Sequence, residues 1–512
     1  MSDSATISTT GNLGYGIRAD ASNSTVSIIA VLSGDGAQIL TQDTNSSGLY
    51  VTNSEGGGPI TLTMSGDNTK IATQGNNSDG VTNDLFEQGS TVTATLSGSN
   101  AQITTQGDNA EGILARSDQA SMGLTLTISG DGALISTQGA GSEAVFVQSG
   151  DANATASITL SSNTSIISTQ SEGIEVDGNA GGTNTVTIDS SGLIQGGTNS
   201  ILLDNGNDTL TLRAGSNLSS PTGANLGAGT DTVNLMGSGT ENEIFLNVET
   251  VNMNGTAWTL SSTSTFDDIN VNSGTLTNSG TLTVNNNVAI ASGATFTGAG
   301  SLTGEVDVSS GGTLSGASSI TGGITNGGTV KPGNSVGTMT ITGDYTQTSA
   351  GALEVEFDSS GVDLLDITGQ MSLNGTLTLT RIGSGVTKNT ALTFLEADGG
   401  ITGSFSSIGG TGGDLSELFV LDGSIVRGAV SVGSTAATVT FSNYSSTFGS
   451  TAQSNGGGAG ASRAGSALDS ATSSDPAGTL AIVKALEDSG NQNRELESAA
   501  GVAQLSSTGG AT

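Results

Sequence analysis

Five segments decide the fold. Ile39-Leu-Thr-Gln42, Ile71-Ala-Thr-Gln74, Ile103-Thr-Thr-Gln106, Ile135-Ser-Thr-Gln138 and Ile167-Ser-Thr-Gln170 recur every 32 residues, with Ile7-Ser-Thr-Thr10 as a degenerate sixth copy. A fixed period of this size marks a solenoid. Each period holds three short apolar runs, such as Ile39 to Thr41, Leu49 to Val51 and Ile60 to Met64, with turn residues Gly48, Asn53, Gly56 to Gly58, Gly66 and Asp67 between them. Three strands and three turns predict one triangular coil. Within the third run, Leu62 and Met64, Ala94 and Leu96, Leu126 and Ile128, and Ile158 and Leu160 take one side while Thr and Ser take the other, the alternation of a strand. The core is therefore expected inside the coil. One coil buries too few side chains to offset the entropy of ordering it, so coils must stack, about 4.8 Å apart, each strand bonding the strands above and below. In this register Gln42, Gln74, Gln106, Gln138 and Gln170 are expected to form an amide ladder. Gly16, Gly48, Gly80 and Gly112 are expected to hold a second corner at positive φ.

The spacing loosens after Ser171, where Val186 to Ile188, Leu210 to Leu212, Val233 to Leu235 and Val251 to Met253 follow at uneven intervals. From Val271 to Val330 apolar residues such as Leu276, Leu282, Ile290, Phe296 and Leu302 recur about every 6 residues, predicting tighter coils of roughly 20 residues. The fold class expected is all-β, a three-sided parallel β-helix with a short helical C-terminal tail. Some 16 to 18 coils would make a rod about 80 Å long.

Composition narrows the function. The 512 residues include 80 Gly, 4 Pro and neither Cys nor His. Average usage would give roughly 36 Gly and 26 Pro, so collagen and proline-rich linkers are excluded. Without histidine there is no Ser-His-Asp or Cys-His set and no histidine-bound zinc. Without cysteine, thiol catalysis, iron-sulfur clusters and disulfides are also excluded. A net charge of −35 opposes nucleic-acid phosphates and anionic membranes. No apolar run reaches the roughly 18 to 20 residues that span a bilayer, and the start Met1 to Thr10 lacks the basic and apolar regions of a signal peptide.

The stretch Gly327-Gly-Thr-Val-Lys-Pro-Gly-Asn-Ser-Val-Gly-Thr-Met-Thr-Ile-Thr-Gly-Asp-Tyr-Thr-Gln347, followed by Gly351-Ala-Leu-Glu-Val-Glu-Phe357 and Asp363-Leu-Leu-Asp-Ile-Thr-Gly369, resembles the C-terminal stem of pertactin-like autotransporter passengers. The resemblance covers about Asn326 to Phe441. Gly206-Asn-Asp-Thr-Leu-Thr-Leu212, Gly229-Thr-Asp-Thr-Val-Asn-Leu235 and Asn247-Val-Glu-Thr-Val251 are similar to segments of the same passengers. It implies a right-handed parallel β-helix, export through the outer membrane of a Gram-negative bacterium by a C-terminal β-barrel in cis, and a stem that folds first and templates the other coils. The signal peptide and barrel of the family are not in this sequence, which fits a passenger excerpt or a degenerate gene product. The expected segments are a regular β-helix over 1–170, irregular and shorter coils over 171–325, an autochaperone-like stem over 326–445, and a linker with a helical translocation segment over 446–512. In that last segment Ser450 to Ser474 reads as a Gly/Ala/Ser linker. Asp475 and Pro476 then supply an N-cap and first helical position ahead of Leu480, Ile482, Val483 and Leu486, with Gly490 as stop and a second helical run from Asn493 to Leu505. Absence of cysteine suits a chain that crosses a pore unfolded through an oxidising periplasm.

Candidate sites are few. Asp208 and Asp231 sit in partial matches to a calcium-binding nonapeptide, but 23 residues apart with the leading glycine replaced, so turn aspartates are the first reading and weak calcium ligands the second. Asp267 with Asp268, and Asp363 with Asp366, pair carboxylates as polysaccharide-cleaving β-helices do. Arg213 and Lys70 are the basic residues weighed against this acidic span, and the single Trp258 has Phe266 as its aromatic neighbour, so solvated turn carboxylates and a core tryptophan are expected. No serine elbow has a histidine to activate it. Gly409 to Gly413 lacks the ending of a phosphate loop, and Lys331, Pro332, Gly333 and Asn334 read as a structural turn. No cofactor and no catalytic residue is expected. The sequence points to a non-enzymatic, secreted or cell-surface passenger that adheres to host or bacterial surface ligands or to copies of itself, with a glycan-acting β-helix enzyme or an inert stalk as alternatives.

Overall fold

The structure is a computed structural model that describes residues 4–21, 27–53, 59–85, 90–117, 121–150, 154–161, 163–178, 182–189, 191–383, 386–410, 418–421, 423–444, 466, 468–472 and 474–488. It contains two compact units, residues 1–305 and 306–512.

The first unit is a parallel β-helix. Its opening coil runs through Thr6–Thr9, Ile17–Ala21 and Ile28–Leu32, and these begin three faces whose successive strands pair parallel; the first two end at Asn217–Ser219 and Phe245–Leu246, and a fourth parallel sheet starts at Ser238–Glu241. On the first face Ile7, Ile39, Ile71, Ile103 and Ile135 stand in one inward column, as the repeat requires. The fifth step differs from the sequence pattern. Ile135 pairs with Ile166, not Ile167, so the motif that looks in phase is displaced by one residue. Two requirements explain the slip. The inward position is filled by Ile166, and the next inward position needs a hydroxyl that can donate into the turn: Thr105 and Thr137 donate to the carbonyls of Ala110 and Ser142 at 2.5 Å, and Ser168 donates to that same Ser142 carbonyl at 2.9 Å. Ile167 is left facing outward, half-buried. The expected glutamine ladder is not the one built. All five glutamines are exposed, and Gln170 donates to the backbone carbonyl of Gln138 at 2.6 Å.

The glycine corner is also corrected. Gly16, Gly48, Gly80 and Gly112 are not at positive φ; they are there because a side chain would not fit. A Cβ on Gly48 would lie 2.3 Å from Ile71 Cγ2 and 2.7 Å from the Gly80 carbonyl oxygen of the next coil. Positive φ belongs instead to asparagines in the adjoining turns: Asn45, Asn77 and Asn109 in one column, Asn68, Asn100 and Asn163 in another, with Gly141, Gly36 and Gly132 taking the same places. Asparagine is the side-chain residue best suited to that region. The same turns carry acceptor ladders. Asp35 Oδ1 accepts the Asp67 N–H at 3.0 Å, Asp67 Oδ1 accepts the Ser99 N–H at 2.9 Å, and Asn76 Oδ1 accepts the Asp108 N–H at 3.0 Å. Each polar turn residue thus satisfies a backbone donor in the following coil.

Downstream the coil contracts, as the spacing predicts, from 32 residues between stacked neighbours to 18. Second- and third-face strands then fuse, giving Thr263–Val271 with a register shift between Phe266 and Asp268. Amide ladders do form here: Asn252 Nδ2 donates to Asn234 Oδ1 and Asn270 Nδ2 to Asn252 Oδ1, both at 3.1 Å. Trp258 is core, 1% exposed, its indole N–H donating to the Met236 carbonyl at 3.2 Å. Gly239 seats it, since a Cβ there would come within 2.6 Å of the ring. Phe266 packs with Phe245 at 6.2 Å.

The second unit continues parallel pairing, for example Thr338–Thr342 with Leu364–Ile367 and Tyr345–Gln347 with Met371–Leu373, and then changes. Ala391–Ala397 pairs antiparallel with Ala436–Asn443, which pairs antiparallel with Ser424–Val432. The antiparallel strands cover an edge that a further coil would otherwise extend. Helix Pro476–Asp488 packs against Leu418–Leu421 and Ser424–Val432 with Val483 buried and Ile482 51% exposed. Its N-cap is the one expected: Asp475 Oδ1 accepts the Gly478 N–H at 3.1 Å. Part of the expected linker is helical as well, at residues 466, 468–472 and 474. Gly490, the run from Asn493 to Leu505, Gly56 to Gly58, Thr411 to Gly413 and residues 450–465 lie outside the described residues. Lys331 and Pro332 close the strand Thr329–Pro332, so the turn starts at Gly333, and Lys331 pairs with Glu354 and Glu356 at 3.2 and 2.8 Å. Among the described residues no helix is long and apolar enough to cross a membrane.

Candidate functional site

The outer side of the second face carries a groove that 32-residue stacking assembles from single residues of successive coils. At the corner entering that face stand Ser47, Asp79, Glu111 and Glu143, each following its predecessor by one coil, and their carbonyls accept the N–H of Gly16, Gly48, Gly80 and Gly112. The outward positions of the strands add two more columns. One runs Arg18, Tyr50, Thr82, Leu114, Phe146; the other runs Asp20, Thr52, Asp84, Arg116, Gln148. Between them lies a cavity of about 380 Å³, bordered by Tyr15, Tyr50, Asp79, Thr82, Asp84, Glu111, Leu114 and Arg116 among others.

Each end of the groove has its own chemistry. At one end the Tyr15 and Tyr50 rings lie 4.7 Å apart, and the Arg18 guanidinium sits over both, 5.3 and 5.6 Å from their centres. In the middle Asp79 is almost fully buried, its Oδ2 accepting from the Thr82 hydroxyl at 2.7 Å and its Oδ1 from the Glu111 N–H at 3.0 Å. Burial, and then the hydrogen-bonded Asp79 carboxyl beside it, push the Glu111 carboxyl well above the usual range. On the far wall Arg116 forks onto Asp84 through Nη2 at 2.9 Å and Nε at 3.2 Å. An aromatic platform, an apolar floor at Leu114 and a wall that both donates and accepts hydrogen bonds suit an extended hydroxyl-bearing chain. The carboxylate rim disfavours an anionic one.

The acidic column continues to Glu172, whose oxygens with those of Glu143 and Glu175 come within 4.8 Å of one another. This group could offer three oxygens to one cation. The contacts present are hydroxyls: Ser171 bonds Glu143 at 2.5 Å and Glu172 at 2.7 Å, and Thr198 donates to Glu172 at 2.8 Å. Burial first, then the charges of Glu143 and Glu172, raise Glu175 to about 7.

The residues expected from sequence lie elsewhere. Asp208 and Asp231 are turn residues, as read, but they are buried, 1% and 0% exposed, rather than solvated. They form a capping ladder: Asn184 Oδ1 accepts the Ala156 N–H, Asp208 Oδ1 the Asn184 N–H and Asp231 Oδ1 the Asp208 N–H, each at 2.7 Å, and Glu249 Oε2 accepts the Asp231 N–H at 2.6 Å. Burial raises Asp208 to about 7 and Asp231 to about 6. Asp267 and Asp268 stand half-buried at the register shift, and Asn285 and Asn286 of the next coil donate to them at 2.8 and 3.2 Å. Asp363 and Asp366 do not form a pair. Asp363 is buried, binding the N–H groups of Gly337 and Glu356 at 2.9 and 2.7 Å to pin the turn after Pro332, while Asp366 faces outward between Thr340 and Glu396.

The groove residues Tyr15, Arg18, Tyr50, Asp79, Glu111 and Arg116 are not singled out by any local sequence signal. Their signal is the 32-residue column of Ser47, Asp79, Glu111 and Glu143, invisible to a search for local motifs because its members are never neighbours in the chain. Arg18 and Arg116 also correct the weighing of Arg213 and Lys70 as the basic residues of this span. Compared with known proteins, the chain matches no family model and no curated protein.

Proposed function

We propose that this chain is the binding portion of a secreted or cell-surface passenger of the autotransporter kind, which adheres to surface ligands through the outer faces of its β-helix. The observation that carries the reading is the second-face groove, where aromatic, hydroxyl, carboxyl and guanidinium groups from successive coils converge. Family assignment and export, with outer-membrane or extracellular location and a translocation barrel in cis, rest on the stem resemblance alone, while the exclusion of a nucleic-acid partner rests on the net charge of −35. Side-by-side self-association through the threonine and asparagine columns is the second mode of adhesion in this reading, and sedimentation of a monomer at high concentration would argue against it.

The test is retention of the purified chain on immobilised neutral, amino-sugar and sulfated oligosaccharides. We expect retention on hydroxyl-rich neutral chains and none on sulfated ones. Tyr50→Ala should weaken it about tenfold, the loss of one stacking contact of about 1.4 kcal/mol. Equal retention of Tyr50→Ala and the parent, or preference for the sulfated chains, would refute the groove. A glycan-acting enzyme is the second reading, favoured by one observation: Asp79 and Glu111 bring two carboxyl groups to the same open groove.

A further inference from the structure

The third face is as uniform as the second is varied. From the second coil onward its outward positions form two columns. One runs from Thr61 through Thr93, Thr125 and Ser157 to Thr250, and the other from Thr63 through Thr95 and Thr127 to Asn234 and Asn252; every position not named here is also threonine. These pairings run through eight coils without a register shift, although the coils themselves shrink around them. The grid is therefore set by the backbone, about 4.8 Å between coils and roughly 6.6 Å between the two columns. The inward neighbours, from Leu62, Ala94 and Leu126 to Val233 and Val251, are all buried, so the strands have no freedom to tilt their outer side chains.

We infer that this face binds ice. Three features of the face choose crystalline water as the occupant. First, a two-dimensional grid of one side-chain type matches a ligand that is itself a lattice, and the oxygen rows on faces of hexagonal ice repeat at closely similar spacings. Second, threonine is held near fixed χ1 values, so hydroxyl and methyl are presented with little entropy left to lose. Third, in a chain of net charge −35 the outward positions of this grid hold no charged residue, and a bound ice surface likewise offers no charge to pair with. Acidic groups would retain their own hydration shells, and the grid ends where one enters its first column, at Asp268 beside Thr250. Crystalline polysaccharide is the less suited occupant because none of these positions is aromatic, so nothing stacks on a sugar ring. The site is independent of the second-face groove, and its failure would leave that reading untouched; a second copy of the chain would occupy these same columns, so sedimentation as a dimer that Thr125→Tyr with Thr127→Tyr breaks, with no hysteresis in the parent, would overturn the inference in favour of self-association.

The experiment uses the full chain and ice alone as probe. Nanolitre osmometry should show a thermal-hysteresis gap with faceted crystals, and the protein should enter a slowly grown ice hemisphere. Thr125→Tyr with Thr127→Tyr, in the middle of the grid, should abolish both readouts, and so should Thr95→Lys made separately. Ser136→Tyr, on the outward side of the first face, should leave both unchanged. Buried Trp258 fluorescence reports that each variant is folded. No hysteresis in the parent chain, hysteresis that survives the grid substitutions, or saturable binding to crystalline cellulose in place of ice would overturn the inference.

Discussion

Gly80→Val should cost about 3 kcal/mol or more and lower the cooperativity of unfolding, while Gly409→Val should change stability by no more than about 0.5 kcal/mol. The two glycines differ in what surrounds an added side chain. At Gly80 a Cβ meets Ile103 Cγ2 at 2.3 Å and the Gly112 carbonyl oxygen at 2.6 Å, and neither can move without shifting the next coil; at Gly409 nothing lies within 4 Å. The clash transmits because the Gly80 N–H bonds the Glu111 carbonyl and the Val81 N–H bonds the Gly112 carbonyl, at 2.8 and 3.0 Å, so separating the coils at that corner opens the ladder on the second face. Denaturant unfolding of the two variants followed by circular dichroism checks the difference. Equal stability of Gly80→Val and the parent would mean the coils are not stacked as described.

The second large effect is on pH. Burial raises Asp208 to about 7, Glu241 to about 7, and Asp231 and Asp363 to about 6, each above the roughly 4 of an unfolded carboxyl. Between those values the folded chain binds more protons than the unfolded one, so stability is greatest below about pH 4 for these groups and falls as pH rises to about 7. Relief of the −35 charge on acidification acts in the same direction. The apparent Tm is expected to rise by about 5 °C between pH 7.5 and pH 5, opposite to proteins whose carboxylates are salt-bridged. Asp208→Asn keeps an acceptor for the Asn184 N–H and removes one titrating group, so it should flatten part of that slope; Asp208→Ala orphans the N–H and should cost about 1–3 kcal/mol at any pH. A Tm that falls steadily from pH 7.5 to pH 5 would contradict the buried ladder.

What could be read in the sequence was whatever repeats along it. The isoleucine columns, the three strands per coil, the contraction to shorter coils, the core position of Trp258 and the Asp475 cap all follow from local pattern. The misreadings share a cause. Ile166 and Ile167 are both able to fill the inward column, and only the hydroxyl requirement at Ser168 decides between them. Gly48 reads as a turn glycine because glycines usually are; that it faces Ile71 across a coil boundary is a three-dimensional fact. Asp363 reads as solvated because aspartate usually is, yet its carboxylate is buried against the N–H groups of Gly337 and Glu356, and Asp208, read as a turn aspartate, caps an N–H 24 residues away. The candidate site suffers most from this distance, since each of its columns takes one residue from every coil.

Whether the groove binds or transforms its ligand is decided by one assay. The purified chain is incubated with a hydroxyl-rich oligosaccharide that it retains, and bound ligand and new reducing ends are measured on the same samples across about pH 4 to 8, a range that spans the usual working pH of carboxyl-based catalysis. Saturable binding that Tyr50→Ala weakens is expected, with no reducing ends formed by the parent, Asp79→Asn or Glu111→Gln. Reducing ends that accumulate with the parent and vanish in Glu111→Gln would contradict it and make the groove an active site.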